Sequence, residues 1–381
     1  MKVIAFYLPQ YHPIPENDEW WGNGFTEWKN VAKARPKFRG HYQPHIPADL
    51  GFYDLRLEET RIAQAELARQ HGIHGFCYHH YWFNGKMLLE RPFNEVLKTG
   101  KPDFPFCLCW ANENWTRQWD GRTHEILMSQ DYSKYNPSEH IEWLAVAFKD
   151  RRYIRIKNKP LFLIYKAAQI PNIENVIQTW RHEAKTKHGI ELYLCSVKSL
   201  GRTTMKEEMA ISAGFDAVVD FQPDINLAIN DKRLNLFRHI PQKIWNVTVN
   251  QLNMSGLGLL DDCNIYSYET IVHEWIKLHP GPYKKFPCVA PSWDNSPRKK
   301  ASAVIQNDRP ELFGQWLEAA CNRVLKYDED EHIVFINAWN EWGEGCHMEP
   351  DIKFGRRFLK ITHEVLNRYT HPIKNNLSTQ G

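Results

Sequence analysis

Short apolar runs alternate with longer amphipathic stretches along the whole chain. The runs are Val3–Leu8, His74–Tyr81, Phe104–Ala111, Leu161–Tyr165, Leu192–Val197, Ala217–Phe221, Pro287–Ala290 and Ile333–Ala338. Each has the length of a buried strand. Between them, Leu57–His71, Ser138–Lys149, Asn172–His188, Glu311–Tyr327 and Phe358–Tyr369 carry apolar residues at helical spacing. Eight strands alternating with helices predict an α/β fold, a (β/α)8 TIM barrel forming one domain over residues 1–381. The interval 225–285 is long for a single connection, with room for an extra helix pair or an active-site insertion. A doubly wound open sheet is the competing arrangement, but no GxGxxG follows any of the runs.

Composition narrows the function classes. The 381 residues are 43% hydrophobic and 24% charged, with a formal net charge of +3. So even a balance gives no support for nucleic acid or an anionic membrane as the main partner. No apolar run is long enough to span a bilayer. Met1–Leu8 is too short for a signal peptide and runs directly into Pro9, Gln10, Tyr11 and His12, so it reads as the first strand. A cytoplasmic protein is expected.

Most of the eight cysteines lie in apolar strand-like stretches, none in a CxxC, and Cys107 and Cys109 share one strand face. Buried thiols in a reducing compartment are the expected state. The eighteen histidines include no HExxH pair, and the consecutive His79 and His80 point to opposite faces of a strand. No metal and no cofactor is expected.

In a barrel, chemistry sits at the C-terminal ends of the strands. Polar and aromatic residues cluster there in this chain. Tyr7, Tyr11 and His12 follow the first run, and His79 and Tyr81 end the second. Trp110, Asn112, Glu113, Trp115, Arg117, Trp119 and Asp120 end the third. Trp293, Asp294 and Arg298 follow the seventh, and Trp339, Asn340, Glu341, Trp342 and Glu344 follow the eighth. Ten of the fifteen tryptophans fall in these clusters or in the early loop Glu19–Trp28, which includes Trp28. Core packing would put most of them on helix faces, so a glycan platform is the better account.

Glu341 and Glu344 stand three residues apart in a turn with glycines at 343 and 345. One carboxyl of such a pair can protonate a leaving oxygen while the other handles a nucleophile or hydroxyl. A polar loop with two solvated acids is the bland alternative. Asp120 and Asp294 suit a substrate contact or a turn cap equally. Arg117 and Arg298 suit a phosphate or a neighbouring carboxylate, and the loop Trp20–Trp28 suits a wall of the sugar cleft, with Glu27 equally suited to an internal hydrogen bond.

The segments Glu19–Trp28, Trp110–Gly121, Trp293–Arg298 and Trp339–Gly345 together resemble the glycoside hydrolase family 99-like proteins of the WbsX type. The resemblance runs from Tyr7 to about Pro350. Such proteins are often encoded with bacterial surface-polysaccharide genes and are commonly labelled glycosyltransferases, while their fold relatives are endo-acting α-mannosidases. The resemblance implies catalysis by Glu341 and Glu344, with retention of configuration. Glu341 would act as base on the sugar's own 2-hydroxyl, giving a 1,2-anhydro intermediate, and Glu344 would protonate the leaving oxygen. A rival pairing is Glu113 with Glu341, since Asn112 and Glu113 at a strand end resemble the acid/base dipeptide of many retaining barrel glycosidases.

The expected function is a retaining hydrolase or transglycosidase acting on an α-linked, mannose-like oligosaccharide or polysaccharide. A glycosyltransferase of O-antigen or capsule biosynthesis using an activated sugar is the alternative. The sequence has neither a Gly-rich phosphate cradle nor an Asp-x-Asp motif, which weighs against that alternative. A catalytically silent glycan-binding relative is the third class, and the intact Glu341/Glu344 pair weighs against it.

Overall fold

The computed structural model describes residues 1–38, 40–117, 119, 122–199, 204–228, 263–299 and 301–370. Eight strands form the central sheet: β1 Lys2–Tyr7, β2 Gly75–Phe83, β3 Phe106–Trp110, β4 Lys159–Ile164, β5 Tyr193–Val197, β6 Ala217–Asp220, β7 Lys285–Val289 and β8 Ile333–Ile336. Each pairs in parallel with the next, and β8 returns to β1 in the register Lys2↔Ile333 to Ala5↔Ile336. The sheet is a closed ring with no edge, which excludes the open doubly wound alternative.

A helix follows every strand: α1 Glu58–Gln70, α2 Arg91–Thr99, α3 Pro137–Phe148, α4 Ile173–His188, α5 Glu207–Ser212, α6 Tyr268–Lys277, α7 Pro310–Val324 and α8 Arg357–Thr370. The protein is therefore a (β/α)8 barrel, as the alternation of patterns predicts. Local chemistry sets the boundaries. Asn136 caps α3 by accepting from the amides of Ser138 and Glu139, with Pro137 in the first turn. Gly75 opens β2 because a Cβ there would lie 2.5 Å from the carbonyl oxygen of Pro105.

Strand parity decides which side chains reach the barrel interior. On β1, Phe6 packs inward against Phe335 of β8, ring centroids 5.5 Å apart. The next residue, Tyr7, turns outward and donates its hydroxyl to Gln64 of α1 at 2.7 Å. All eight cysteines are free thiols, seven of them buried and Cys263 partly so. Among the described residues, no helix is long and apolar enough to cross a membrane.

The loops beyond the strand C-termini carry their own small sheets. A hairpin of Trp115–Arg117 and Arg122–Met128 follows β3. Trp293–Asp294 pairs antiparallel with Ser302–Gln306, which lies parallel to Cys263–Ser267. After β8, Asn340–Glu341 pairs antiparallel with Cys346–His347. Of the interval 225–285, residues 229–262 lie outside the described residues. The remainder holds a short 3-10 turn at Ile225–Ala228, the strand Cys263–Ser267, α6 and the start of β7.

Candidate active site

A cleft of about 220 Å³ opens at the C-terminal ends of the strands. His79 and Tyr81 line it from β2, Glu113 from the segment after β3, Tyr165 from the end of β4, and Phe221 from the end of β6. Trp293 and Arg298 come from the β7 loop, Glu341 and Glu344 from the β8 loop.

Arg298 organises this wall. Its Nη2 lies 2.9 Å from a Glu341 oxygen, its Nη1 2.9 Å from a Glu344 oxygen and its Nε 2.9 Å from Glu27. The two carboxyls that the sequence singles out are thus held on adjacent nitrogens of one planar fork. Glu27 has no exposed surface and reaches Arg298 from the loop before the short helix Trp28–Lys33. The turn between the two glutamates must be glycine at 343: a Cβ there would sit 2.2 Å from Glu27 Oε1 and 2.7 Å from Arg298 Nε.

Behind this wall, a buried polar layer fixes the turn. Asn340 accepts from the amide of Leu8 at 2.7 Å and donates to the carbonyl of Leu8 at 3.0 Å, pinning the β8 loop to the end of β1. The Tyr11 hydroxyl donates to the Asn340 carbonyl and accepts from the Trp342 amide. Glu349 accepts from Trp342 Nε1 at 2.6 Å, Gln64 Nε2 at 2.7 Å and the Tyr53 hydroxyl at 2.9 Å.

Burial raises the Glu341 pKa to about 7, with Glu344 and Glu27 adding to the rise and Arg298 and His79 opposing it. Burial likewise raises Glu113, against the pull of Lys166, whose ammonium lies 3.7 Å away. For Arg298, burial works against the charge, but the three surrounding carboxylates outweigh it and raise the pKa. His79 is also raised: burial opposes its charge, while Cys109, Glu341 and Glu344 favour it. A carboxyl poised near neutrality is a stronger base than an ordinary glutamate and exchanges a proton readily in either direction.

Of the residues the sequence nominates, the cleft brings together His79, Tyr81, Glu113, Trp115, Trp119, Trp293, Arg298, Glu341 and Glu344. The others sit elsewhere. Tyr7, Tyr11, His12, Trp28, Asn340, Trp342 and Trp339 are buried and do not line it. Trp110 faces outward from β3, against Trp180 of α4 and stacked on Tyr135. These are corrections to the glycan-platform reading: aromatics next to a strand end belong to the cleft only on the inward parity or on the loop beyond.

Asn112 is also buried. It joins the segments after β3 and β4, accepting from the Lys166 amide at 2.8 Å and donating to the Lys166 carbonyl at 3.0 Å. Arg117 turns to Glu125 at 2.5 Å and lies over Trp21, outside the cleft lining. Asp294 accepts from Gln43 at 2.5 Å and pairs with His41 at 2.6 Å, a bonded structural acid whose pKa these partners hold low against burial. Asp120 lies outside the described residues.

The cleft also includes Trp21 of the early loop, and Gln10, Tyr165, Phe221 and Asn337, which the sequence does not single out. Tyr165 and Phe221 close the fourth and sixth apolar runs. The strand-end rule applied to every run, and not only to those followed by tryptophan, would have found both. A larger cavity of about 490 Å³ shares Trp293 with the cleft but contains neither Glu341 nor Glu344. The paired carboxyls place the candidate chemistry in the smaller one.

Among solved structures, the chain resembles a glycoside hydrolase-like protein with a TM-score of 0.56 at 14% identity, covering 96% of this chain and 93% of that one. It also resembles the GH99 endo-α-mannosidase of Bacteroides thetaiotaomicron in complex with bis-tris-propane, with a TM-score of 0.54 at 14% identity over 97% of both chains. At such identities the likeness concerns the fold. A closed barrel carrying paired carboxyls and aromatic walls at its strand ends is an arrangement that suits carbohydrate chemistry.

The chain belongs to the WbsX glycosyltransferase family, whose model, described as Glycosyltransferase WbsX, matches residues 3–362. It is 36% identical over 370 residues to WxcX, an uncharacterized protein of Xanthomonas campestris pv. campestris strain B100, and equally to WxcX of strain ATCC 33913. The match covers 96% of this chain, which spans about half the length of these curated relatives.

Proposed function

We propose that the protein cleaves or transfers an α-linked, mannose-like glycosidic bond with retention of configuration, using Glu341 and Glu344, in surface-polysaccharide metabolism. The observation that carries this reading is the single guanidinium of Arg298 holding both carboxyls at 2.9 Å on one wall of the cleft. Two carboxyls so placed can serve one anomeric centre, as retention requires. The aromatic walls supplied by Tyr81, Trp115, Trp119 and Trp293 suit the apolar faces of sugar rings.

In the proposed sequence, Glu341 takes the proton of the substrate's 2-hydroxyl and that oxygen attacks C1. The C1–O bond to the leaving group breaks, and Glu344 supplies the proton that the departing oxygen needs. The 1,2-anhydro sugar then opens when a water or acceptor hydroxyl attacks C1. Glu344 takes the incoming proton, and Glu341 returns its own to O2. With water the outcome is hydrolysis, and with an acceptor sugar it is transglycosylation.

The family description favours transfer, and the same two carboxyls serve it without a nucleotide donor. The alternative, transfer from an activated nucleotide sugar, needs cations to meet a diphosphate. In the cleft, Arg298 is already committed to three carboxylates. Incubation with α-mannosyl fluoride and a mannoside acceptor, with product anomers followed by NMR, tests the proposal. An α-configured product dependent on Glu341 is expected, and a β-configured first product would refute it.

A further inference from the structure

His45, His347 and Asp351 converge behind the β8 loop. All three are buried, and one ligand atom from each lies within 4.8 Å of the other two. They border a void of about 10 Å³, which is the room a single ion or water occupies. His45 Nδ1 and His347 Nε2 face each other at 2.9 Å. The second nitrogen of His347 is committed, since Nδ1 lies 2.9 Å from the carbonyl oxygen of Glu349 and donates to it. That contact leaves the Nε2 lone pair directed at the cluster, the arrangement by which a backbone carbonyl orients a metal-binding imidazole. One Asp351 oxygen accepts from the Phe354 amide at 2.7 Å, which fixes that carboxylate as well.

We infer that His45, His347 and Asp351 form a site for one transition-metal ion of the zinc type, structural in role and separate from the cleft. Two imidazoles and one carboxylate are a borderline-soft donor set that suits zinc and disfavours magnesium and calcium, which take oxygen ligands. Binding replaces the shared proton between the two rings. It opens their nitrogen separation from 2.9 Å to about 3.3 Å, the span of two bonds of about 2.0 Å at a tetrahedral angle.

The ion ties the loop after β1 to the strand Cys346–His347, whose residue His347 pairs with Asn340 and whose residue Cys346 pairs with Glu341. Backbone contacts already join these segments, with the Ala48 amide donating to the Pro350 carbonyl at 2.9 Å and Pro47 bridging Asp351. The fold therefore does not require the ion, and the apo protein can be handled.

The test is zinc chloride titrated by calorimetry into the full chain after dialysis against EDTA, with magnesium chloride as control and cobalt(II) absorption as a geometric readout. One zinc per chain, a rise in Tm on zinc addition and an intense tetrahedral cobalt band are expected. His45→Gln and Asp351→Asn should each weaken zinc binding by at least about 100-fold and remove the band, since even outer-shell changes cost about 10- to 100-fold. Circular dichroism selects whichever variant is folded, and either one decides the matter. No stoichiometric zinc in the wild-type protein, or equal zinc binding by a folded variant, would overturn the assignment.

Discussion

Glu27 Oε1 lies 2.9 Å from Arg298 Nε, beneath the turn that carries Glu341 and Glu344. The contact joins the β1 loop to the β7 loop and fixes the rotation of a guanidinium whose other two nitrogens hold the candidate catalytic carboxyls. Replacing Arg298 by Met should leave three carboxyls, of which Glu27 and Glu341 are buried, without their cation. Breaking a buried ion pair costs about 3–5 kcal/mol, so a clear fall in Tm and a near-complete loss of activity are expected. Thermal unfolding beside initial rates checks this, and an active, fully stable Arg298→Met protein would remove Arg298 from its central place.

The pH profile follows from the Glu341 pKa of about 7. A general base works when deprotonated, so the acidic limb of kcat/KM should fall about tenfold per pH unit below that value. Arg298 lowers the Glu341 pKa and Glu27 raises it. Arg298→Lys, which keeps a charge but loses the fork, should therefore move the acidic limb upward. Glu27→Gln should move it downward. Limbs that stay in place in both variants would mean that another group controls the profile.

Gly343→Ala tests the packing of the turn. The added methyl would meet Glu27 Oε1 at 2.2 Å and Arg298 Nε at 2.7 Å, contacts that no ordinary side-chain adjustment relieves while all three ion pairs persist. Activity should fall by about 100-fold or more, on the scale that small misplacement of reacting groups produces. The circular dichroism spectrum should be retained. Wild-type rates in this variant would show that the turn tolerates displacement of Arg298.

Much of this arrangement is legible in the sequence because buried parallel strands are continuous apolar runs and barrel chemistry gathers at their ends. Glu341, Glu344, Glu113 and His79 follow from that rule and line the cleft. Trp110 and Trp339 do not line it, because proximity to a strand end does not specify a face. Cys109 and His79 turn into the barrel, so Trp110, one residue on, must turn out toward α4. The ion pair that Glu27 makes is not legible in the sequence. Its partner stands 271 residues away, and no local pattern encodes such a meeting.

The two glutamates should differ in their response to the leaving group. Glu344→Gln should lose about 10²- to 10⁴-fold on a natural glycoside, whose leaving oxygen needs a proton, and far less on a glycosyl fluoride. Glu341→Gln should lose comparably on both, because the 2-hydroxyl must be deprotonated whatever departs. Parallel rate measurements on the two donors check the division of labour. Equal losses for both variants on both donors would reject it.

Nucleotide sugars should bind poorly. Calorimetry with such donors, with and without magnesium or manganese, should show nothing tighter than about millimolar, equivalent to about 4 kcal/mol. Neutral oligosaccharides should bind detectably through the aromatic walls. Micromolar affinity for any nucleotide sugar would promote the transferase with an activated donor over the retaining mechanism.

Closure of β8 onto β1 has a consequence for biosynthesis of the enzyme itself. The carboxyls arrive on the last strand of the ring, their cation on the loop before it and the cation's anchor near the first. A chain still emerging from the ribosome thus holds the cleft aromatics Trp21, Tyr81, Trp115 and Trp119 before it holds Arg298, Glu341 or Glu344. The paired carboxyls therefore meet their cation late, when the ring shuts.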